Sequence, residues 1–263
     1  MRGLAGRRVI VTGGTSGIGE ATSRRFLAEG ASVVAFAVGE EEVTTASDRL
    51  TGLAGAIRLD QSDPSAVERA FEDADVLLGG LDVLVANAGI SLRRPFLAIT
   101  AEEWQRVVAV DLHGTFYCAQ AAARRMMAAG SDGTPRGGVI LMTASTNGLV
   151  GHPFYADYNA AKAGVIALAR TMALELAPHV RVNAVCPGYV LTPMQQAEYT
   201  AEMLEATNRK IPLGRHATPD EIAALFAFLA SDEGAYFTGA AIPIDAGETA
   251  GGLASRDWTV REG

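Results

Sequence analysis

The chain is poor in cysteine, in excess positive charge and in long apolar runs. Its two cysteines, Cys118 and Cys186, lie in apolar surroundings and predict reduced core thiols, which excludes a disulfide framework and favours a cytoplasmic location. The formal net charge of −8 excludes the basic surface that nucleic acids attract. No apolar run approaches the roughly 20 residues of a membrane span, and residues 1–8 lack the apolar stretch of a signal peptide. We therefore expect neither a nucleic-acid partner nor a membrane partner.

Internal repeats, low-complexity tracts and linkers are also missing, so residues 1–263 are predicted to form a single domain. Apolar strand patterns alternate with helical patterns, which predicts an α/β fold with a doubly wound parallel sheet of about seven strands and helices on both faces. The predicted strands are 7–12, 32–37, 56–59, 82–86, 138–144, 180–186 and 240–244. The predicted helices are 17–29, 40–52, 64–78, 101–129, 155–177, 194–208 and 218–231. We expect a substrate lid at about 189–214 and leave a C-terminal tail, about 251–263, unassigned.

A glycine-rich turn follows the first predicted strand. The stretch Gly13–Gly19 reads G-G-T-S-G-I-G and is followed by a helical pattern. Strand, glycine turn and helix together are typical of a dinucleotide-binding loop, because glycines let the backbone approach a pyrophosphate and a helix N-terminus offers free N–H groups. The spacing is G-x-x-x-G-x-G and not the common G-x-G-x-x-G, so a plain tight turn is the alternative.

A phenol and an ammonium lie four residues apart in Tyr158 and Lys162, and Ser145 precedes the tyrosine by thirteen residues (158 − 145 = 13). Positions i and i+4 share a helix face, so both side chains are predicted to enter one pocket. A cation about 4 Å from a phenol contributes about 4 kcal/mol at an effective dielectric of about 20, or up to about three pKa units. We therefore predict that Lys162 lowers the pKa of Tyr158 towards neutrality, where an acid/base catalyst works best. A surface tyrosine beside a solvated lysine is the alternative.

Five motifs occur in order along residues 7–250. They are Thr12–Gly19 (T-G-x-x-x-G-x-G), Asn87-Ala88-Gly89, Ser145 at a strand end, Tyr158–Lys162 (Y-x-x-x-K), and Pro187-Gly188 followed by Thr192. Together they resemble the short-chain dehydrogenase/reductase family, in its shorter single-domain branch. The resemblance implies a Rossmann-type fold and hydride transfer between a nicotinamide and a carbonyl or secondary alcohol. By analogy it also implies a homotetramer, or a homodimer, with subunit contacts on helices 101–129 and 155–177.

The resemblance assigns catalytic roles to four residues. Tyr158 would exchange a proton with the substrate oxygen, Ser145 would hydrogen-bond the same oxygen, and Lys162 would also hold the nicotinamide ribose. Asp111 would continue the proton relay to solvent, although the family usually has Asn at this position. A carboxylate there could weaken the effect of Lys162 on Tyr158. An aspartate that only braces its helix is the alternative.

The resemblance also implies a set of cofactor contacts. They are Gly13, Thr15, Ser16, Gly17, Ile18, Gly19, Ala37, Asp60, Gln61, Asn87, Ala88, Gly89, Tyr158, Lys162, Pro187, Gly188, Val190 and Thr192. For Asn87, a structural role in tying neighbouring strands is the alternative. In enzymes that bind NAD, an acidic residue at the end of the second strand usually binds the adenosine ribose, and this chain has Ala37 at that position. The acidic residues Glu40–Glu42 follow, and their charge would repel the 2′-phosphate of NADP. We predict NAD(H) as the cofactor, with NADP(H) as the alternative.

The predicted substrate pocket consists mostly of apolar and aromatic residues. Its members are Ser145, Asn147, Leu149, His152, Phe154, Tyr155, Tyr189 and Met194. This lining favours a hydrophobic ketone or secondary alcohol as the substrate, and we expect no metal site. Tyr155 has Asn159 and no lysine at i+4, so we predict a pocket wall and not the acid. His152 is either a second acid/base group or, in our preferred interpretation, another part of the wall.

Two other functions stay open at this stage. A 3-oxoacyl-thioester (acyl carrier protein) reductase would carry the same motifs and prefer NADPH, and Arg124 and Arg125 are candidates for a patch that binds an acidic carrier. A non-catalytic, nucleotide-sensing regulator would use the same scaffold. The intact set of Ser145, Tyr158 and Lys162 argues against a sensor, which has no use for a tuned phenol.

Overall fold

Seven strands form one parallel sheet in the computed structural model, which describes residues 1–130 and 133–251. The strands are β1 (Arg8–Thr12), β2 (Ser32–Ala37), β3 (Gly55–Arg58), β4 (Val83–Ala86), β5 (Gly138–Thr143), β6 (Val180–Pro187) and β7 (Ala241–Ile244). Their order is β3-β2-β1-β4-β5-β6-β7, so the winding direction reverses between β1 and β4. The predicted Rossmann-type fold is confirmed, and the predicted tail beyond residue 251 lies outside the described residues.

Helices follow nearly every strand. They are α1 (Gly17–Ala28), α2 (Glu40–Thr44), α3 (Ala46–Arg49), α4 (Pro64–Leu78), α5 (Ala101–Val108), α6 (Thr115–Met127), α7 (Ala156–Leu176), α8 (Pro193–Glu198), α9 (Ala201–Asn208) and α10 (Pro219–Ala230). The helix predicted at 101–129 contains a π-helical segment, Ala109–Gly114, between α5 and α6. This wider turn is part of the site described below.

Two predicted helices are each divided in the structure. The helix predicted at 40–52 is divided into α2 and α3 near Thr45. The Thr45 hydroxyl donates to the Glu41 carbonyl, which also accepts from the Thr45 N–H, and a threonine that bonds back to the preceding turn in this way often bends a helix. The helix predicted at 194–208 is divided into α8 and α9 because Tyr199 is extended and the Thr200 side chain caps α9 by accepting from the Met203 N–H. The helical pattern therefore predicts that both segments are helical but does not predict where they are interrupted.

The sheet is buried on both of its faces. On one face, α4, α6 and α7 contribute Phe71, Met126 and Val165 to the core. On the other face, α1 and α10 contribute Phe26 and Phe226. Burial on both faces explains why the strands are continuous apolar runs and do not alternate with polar residues.

Cys118 and Cys186 are free thiols inside this core. Burial raises the pKa of Cys118 to about 12 and that of Cys186 to about 11, so both thiols are protonated near neutral pH. Across the residues that the structure describes, no helix is long and apolar enough to cross a membrane.

All the predicted motifs lie at one edge of the sheet. The strands are parallel throughout, so their carboxyl ends meet at the same edge. The glycine turn follows β1 there, Asn87 follows β4, Ser145 follows β5, and Gly188 follows β6. This edge, at the point where the strand order reverses, is where doubly wound sheets bind their ligands.

Candidate active site

Tyr158, Ser145 and Lys162 come together at this edge of the sheet. Tyr158 and Lys162 lie on α7, where the lysine Nζ is 5.3 Å from the centroid of the Tyr158 ring. The side chains of Ser145 and Tyr158 line one cavity, and the serine lowers the pKa of the phenol. Asn147 fixes the serine, because its backbone N–H donates to Ser145 Oγ at 3.1 Å and its Oδ1 accepts from that hydroxyl at 3.3 Å. The predicted trio is therefore assembled at one place.

Lys162 is buried and bonded on two sides. Its Nζ donates to the Thr143 carbonyl at 2.9 Å and lies 3.1 Å from Oδ2 of the fully buried Asp111. Burial by itself would lower the pKa of Lys162, but Asp111 raises it above its ordinary value. Burial pulls the pKa of Asp111 upward, against the attraction of Lys162. The Ile90 N–H donates to Asp111 at 2.8 Å and the Thr143 carbonyl accepts from the Lys162 ammonium, and both contacts stabilise the ionised pair.

The π-helical segment carries the Asp111 carboxylate into the site. The Val110 carbonyl accepts from the Gln61 amide at 2.9 Å, and the Asp111 carbonyl accepts from the Thr115 hydroxyl at 2.8 Å. These side chains hydrogen-bond carbonyls in the wider turn. Gly89 packs against the pair so closely that a Cβ there would lie 2.7 Å from Asp111 Oδ2 and 3.3 Å from Lys162 Nζ. Only glycine fits at this position.

The pKa of Tyr158 differs from the sequence-based expectation. The protein packed around the phenol raises its pKa, Lys162 opposes the rise, and Asp111 raises the pKa again. The prediction that Lys162 brings this pKa towards neutrality is therefore wrong in this structure. The physical reason is that desolvation outweighs the lysine, whose charge is also offset by Asp111.

A cavity of about 520 Å³ lies at the ends of β1, β2, β4 and β5. Most of the predicted cofactor residues line it, namely Gly13, Thr15, Ser16, Gly17, Ile18, Ala37, Asp60, Gln61, Asn87, Ala88, Gly89, Tyr158, Lys162 and Thr192. Further lining residues that the motifs did not indicate include Val38, Glu42, Ile90, Arg106, Thr143 and Pro193. Glu42 belongs to the acidic stretch that the sequence placed near the ribose, and Val38 directly follows β2, whereas the sequence holds no signal for Arg106.

Four of the predicted cofactor residues do not line this cavity. Gly19 lies beneath the glycine turn, where a Cβ would be 1.9 Å from the Gly13 carbonyl oxygen. Pro187 and Val190 are buried in the fold, and Val190 forms a bridge with Ala217. Gly188 lines the neighbouring, smaller cavity. For Gly19, Pro187 and Val190 the motif match reflects packing around the site, whereas Gly188 belongs to the surface of the smaller cavity.

Polar groups around the glycine turn fit a dinucleotide. Thr15 Oγ1 is buried and has no hydrogen-bond partner among the described residues. Ser16 is the N-cap of α1 but makes no capping bond with its side chain. Gly17 has a φ of +51°, which glycine adopts without strain. Uncommitted hydroxyls beside a helix N-terminus suit phosphate oxygens, so the residues present fit a pyrophosphate.

Two polar side chains in the wall of this cavity are bonded to the protein itself. Asn87 donates to the Thr12 carbonyl at 3.2 Å and accepts from the Thr143 hydroxyl at 3.1 Å, which ties β1, β4 and β5 together. The Gln61 amide donates to the carbonyls of Ala88 and Val110. Both side chains therefore hold the wall in place, and for Asn87 this contact pattern matches the structural alternative.

A smaller cavity of about 100 Å³ adjoins the first, and Tyr158, Thr192 and Met194 line both. The predicted pocket residues that line it are Ser145, Asn147, His152, Tyr155, Tyr189 and Met194. Leu149 and Phe154 do not: Leu149 is exposed after a short 3₁₀ turn, and the ring of Phe154 packs under the Arg93 guanidinium at 4.3 Å. The residues that sequence reasoning missed are Ser91, Thr146, Gln195, Glu198 and Tyr199. Three of them, Gln195, Glu198 and Tyr199, lie in the predicted lid, and this location is the only feature of the sequence that indicated them.

Comparisons with known proteins agree with this architecture. Residues 13–249 match a family model described as "Enoyl-(Acyl carrier protein) reductase". The chain is 40% identical over 244 residues to meso-2,3-butanediol dehydrogenase of Serratia marcescens, covering 92% of this chain and 94% of that protein. It is 40% identical over 252 residues to 3beta-hydroxysteroid dehydrogenase 1 of Eggerthella lenta, covering 94% and 95%.

Two further comparisons extend to an acyl-carrier enzyme and a solved structure. A 3-oxoacyl-[acyl-carrier-protein] reductase of Thermotoga maritima is 37% identical over 248 residues, covering 93% of this chain and 98% of that protein. The crystal structure of a short-chain type dehydrogenase/reductase from Mycobacterium marinum matches with a TM-score of 0.87 and 37% identity, covering 94% of this chain and 97% of that one.

The chain belongs to the short-chain dehydrogenase/reductase family. It is an NAD(P)-dependent oxidoreductase that acts on CH–OH and C=O groups of small molecules. The relatives are named for different substrates, so family membership fixes the reaction class and leaves the substrate open. The enzyme class also argues against the nucleotide-sensing alternative.

Two side chains near Tyr158 occupy the wall of this short-chain dehydrogenase/reductase site. The Tyr155 hydroxyl donates to Glu198 at 2.8 Å, and burial together with Tyr199 and Glu198 raises the pKa of Tyr155. The Nε2 of His152 lies 3.5 Å from Glu248 Oε1. The environment of Tyr155 stabilises its neutral form, which agrees with its predicted place in the wall and not as the acid.

Proposed function

We propose that this enzyme interconverts a small neutral ketone and the corresponding secondary alcohol, with NAD(H) as its preferred cofactor and Tyr158 as the acid/base. The observation that carries the proposal is the position of Tyr158. Its phenol lies between the large cavity and the small one, beside Ser145 and on the same helix as Lys162. A group at this boundary can reach a substrate oxygen while the reacting carbon faces the larger cavity.

Each residue of the site has a defined task in this proposal. The Tyr158 hydroxyl donates its proton to a carbonyl oxygen in reduction, and the phenolate takes the alcohol proton in oxidation. The Ser145 hydroxyl holds the same oxygen in position. Lys162 and Asp111 hold the far end of the proton path. A nicotinamide bound in the larger cavity supplies or accepts the hydride.

The preference for NAD(H) is supported by the charges near the end of β2. Ala37 offers the ribose no polar side chain, but the Glu42 carboxylate lines the cavity beside it. Arg58 lies near Glu40 at 3.7 Å, and Arg49 is bonded to Glu20 at 2.6 Å, so both nearby arginines already have carboxylate partners. A 2′-phosphate beside Ala37 would therefore meet the Glu42 carboxylate, and Arg106, an arginine that lines this cavity, lies on α5 and not at the end of β2.

The proposal includes a homotetramer located in the cytoplasm. Exposed apolar side chains on the predicted contact helices support the assembly, with Trp104 on α5, Phe116 on α6 and Leu174 on α7. A surface groove between α6 and α7, lined by Leu112, His113, Phe116, Tyr117 and Leu168, supports the same face. Light scattering coupled to gel filtration measures the assembly directly.

A 3-oxoacyl-thioester reductase is the second candidate, and it is less well supported. The relative from Thermotoga maritima carries that name. However, the proposed carrier-binding patch is weak, because Arg125 is bonded to Asp75 at 2.6 Å and paired with Glu68 at 3.4 Å. Only Arg124 of the two stays without such a partner among the described residues. We therefore propose a small ketone or secondary alcohol, and not an acyl thioester, as the substrate.

The central experiment compares wild-type protein with Tyr158→Phe. Nicotinamide absorbance is followed over a panel of ketones and secondary alcohols with NAD(H) and NADP(H) in parallel. We expect wild-type turnover, faster with NAD(H), and a loss of at least about 10³-fold in kcat for Tyr158→Phe, because the proton donor is removed. NADH binding, followed by fluorescence, should be retained.

Tyr236→Phe is the matched control, since Tyr236 is fully exposed and lines neither cavity. It should turn over substrate at the wild-type rate. A Tyr158→Phe variant as fast as wild type would refute the assigned acid/base. Equal or better turnover with NADP(H) would refute the cofactor preference alone.

A further inference from the structure

A carboxylate from the lid faces the substrate cavity. Glu198 is the last residue of α8, and its side chain lines the cavity together with Ser145 and Tyr158. Its Oε2 accepts from the Tyr155 hydroxyl at 2.8 Å, and its Oε1 accepts from the Ser91 hydroxyl. The carboxylate is therefore fixed by the loop after β4 and by the residue that precedes α7.

This carboxylate carries charge into the cavity without compensation. Within the described part of the chain, Glu198 takes part in no ion pair, and no lysine or arginine lines the small cavity. The basic side chain in its lining, His152, lies beside another acid, Glu248, at 3.5 Å. The charge of Glu198 also reaches the reaction centre, since it raises the pKa of Tyr158. A substrate carboxylate would meet like charge here.

Glu198 also has unused capacity to accept hydrogen bonds. An ionised carboxylate offers about four lone-pair sites, and the hydroxyls of Ser91 and Tyr155 occupy two of them. The Tyr155 hydroxyl is itself 3.3 Å from the Tyr199 hydroxyl, so the acid is the acceptor in a network of hydroxyl groups. A wholly apolar substrate would remove water from this carboxylate without replacing its hydrogen bonds, which is costly.

The size of the cavity limits the substrate further. Its volume is about 100 Å³, whereas an apolar cavity of about 150 Å³ holds benzene. This space favours a substrate no larger than benzene, and a diol of four carbons, with six non-hydrogen atoms, is at that limit. The sequence predicted a hydrophobic substrate partly from Leu149 and Phe154, which do not line this cavity. The observed lining and volume favour a small, more polar substrate instead.

We propose that Glu198 is a specificity-determining residue that accepts a hydrogen bond from a second hydroxyl of a small neutral substrate and rejects substrates that carry a carboxylate. The substrate class is then a small diol or the corresponding hydroxyketone. This inference rests on the proposed function, because the first hydroxyl is the one that reacts at Tyr158.

Three secondary alcohols with a four-carbon skeleton test this inference. They are 2,3-butanediol, with a second hydroxyl, 2-butanol, with none, and 3-hydroxybutyrate, with a carboxylate. For wild-type protein we expect kcat/KM to fall in that order, with at least about tenfold between the first two, the size of one charge-assisted hydrogen bond. Glu198→Gln should lower kcat/KM for the diol about tenfold, leave 2-butanol within about threefold, and raise 3-hydroxybutyrate.

Glu202→Gln is the matched control, because Glu202 is exposed on α9 and lines neither cavity. It should leave all three substrates unchanged. An equal loss for all three in Glu198→Gln would show that the carboxylate only holds the lid, and would overturn the inference. If that variant fails to fold, the wild-type order of the three substrates decides.

The same assay separates the two proposals. Wild-type turnover of 2-butanol as fast as the diol would overturn the role of Glu198 and leave the proposed function intact. Absence of turnover on every ketone and alcohol, with either cofactor, would overturn the proposed function itself.

Discussion

The two cavities that meet at Tyr158 are built in different ways. The larger one is formed by strand ends and glycine turns, and its amides in Asn87 and Gln61 are bonded to the protein backbone. The smaller one is formed by side chains from the lid and separate loops, in which Ser91 and Tyr155 both donate to Glu198. Backbone geometry thus determines the first, and combinations of distant side chains determine the second.

The largest expected effect comes from adding a side chain at Gly19, beneath the glycine turn that borders the larger cavity. In Gly19→Ala, the new Cβ would lie 1.9 Å from the Gly13 carbonyl oxygen and 2.7 Å from Asn87 Nδ2. We expect a loss of about 3 kcal/mol in the free energy of unfolding, measured by urea denaturation, because backbone must move. NADH affinity, measured by fluorescence titration, should fall with it.

Gly151→Ala provides the control for this substitution, since nothing lies within 4 Å of a Cβ at Gly151. Its free energy of unfolding should stay within about 0.5 kcal/mol of wild type. If Gly19→Ala kept the stability and the NADH affinity of wild type, the glycine turn would not be a rigid element of the larger cavity.

A second prediction concerns the charges where the cavities meet. Asp111 raises the pKa of Tyr158, so Asp111→Asn should lower it. Alcohol oxidation needs the phenolate and therefore rises with pH, which means that the midpoint of its pH–rate profile should move to lower pH. The plateau rate should stay within about tenfold, because the donor and Lys162 remain.

Asp73→Asn is the control for the pH profile, since Asp73 is exposed on α4 and far in sequence from the site. Its midpoint should match that of wild type. A midpoint for Asp111→Asn that stays in place, or moves to higher pH, would contradict the electrostatic role of the carboxylate and leave it as a brace for the helix.

The smallest expected effect is at the adenosine end of the larger cavity. Glu42→Gln removes the carboxylate beside Ala37, so the preference for NADH over NADPH should fall about fivefold, as expected for one partly screened repulsion. The measurement is the dissociation constant of NADPH divided by that of NADH, both from fluorescence titration. Glu72→Gln, an exposed change on α4, should leave the ratio unchanged, and an increased ratio in Glu42→Gln would contradict the assignment.

The fold and the larger cavity could be predicted because their signals are local. Apolar runs of strand length gave the seven strands, and Gly13–Gly17 and Asn87–Gly89 lie where the motifs imply, at the ends of β1 and β4. The parallel arrangement then brings these stretches together without any information about side-chain contacts.

The smaller cavity could not be predicted in the same way. Ser91 and Glu198 are 107 positions apart, and their contact depends on where the lid packs. Leu149 was predicted to lie in the wall, but it follows a 3₁₀ turn after Ser145 and is exposed. Likewise the pKa of Tyr158 depends on a balance between desolvation, Lys162 and Asp111. The sequence indicated both charges, but the burial of the phenol depends on tertiary packing.

The π-helical segment Ala109–Gly114 has a consequence for the whole of the long α5–α6 unit. Each extra residue in a helical turn rotates everything beyond it by about 100° relative to a regular helix. Deleting one residue from this segment would leave a continuous helix, yet its two halves could no longer both face inward. Either Val107 on α5 or Cys118 on α6 would then leave the core. The wider turn therefore allows the buried faces of both helices to point into the protein.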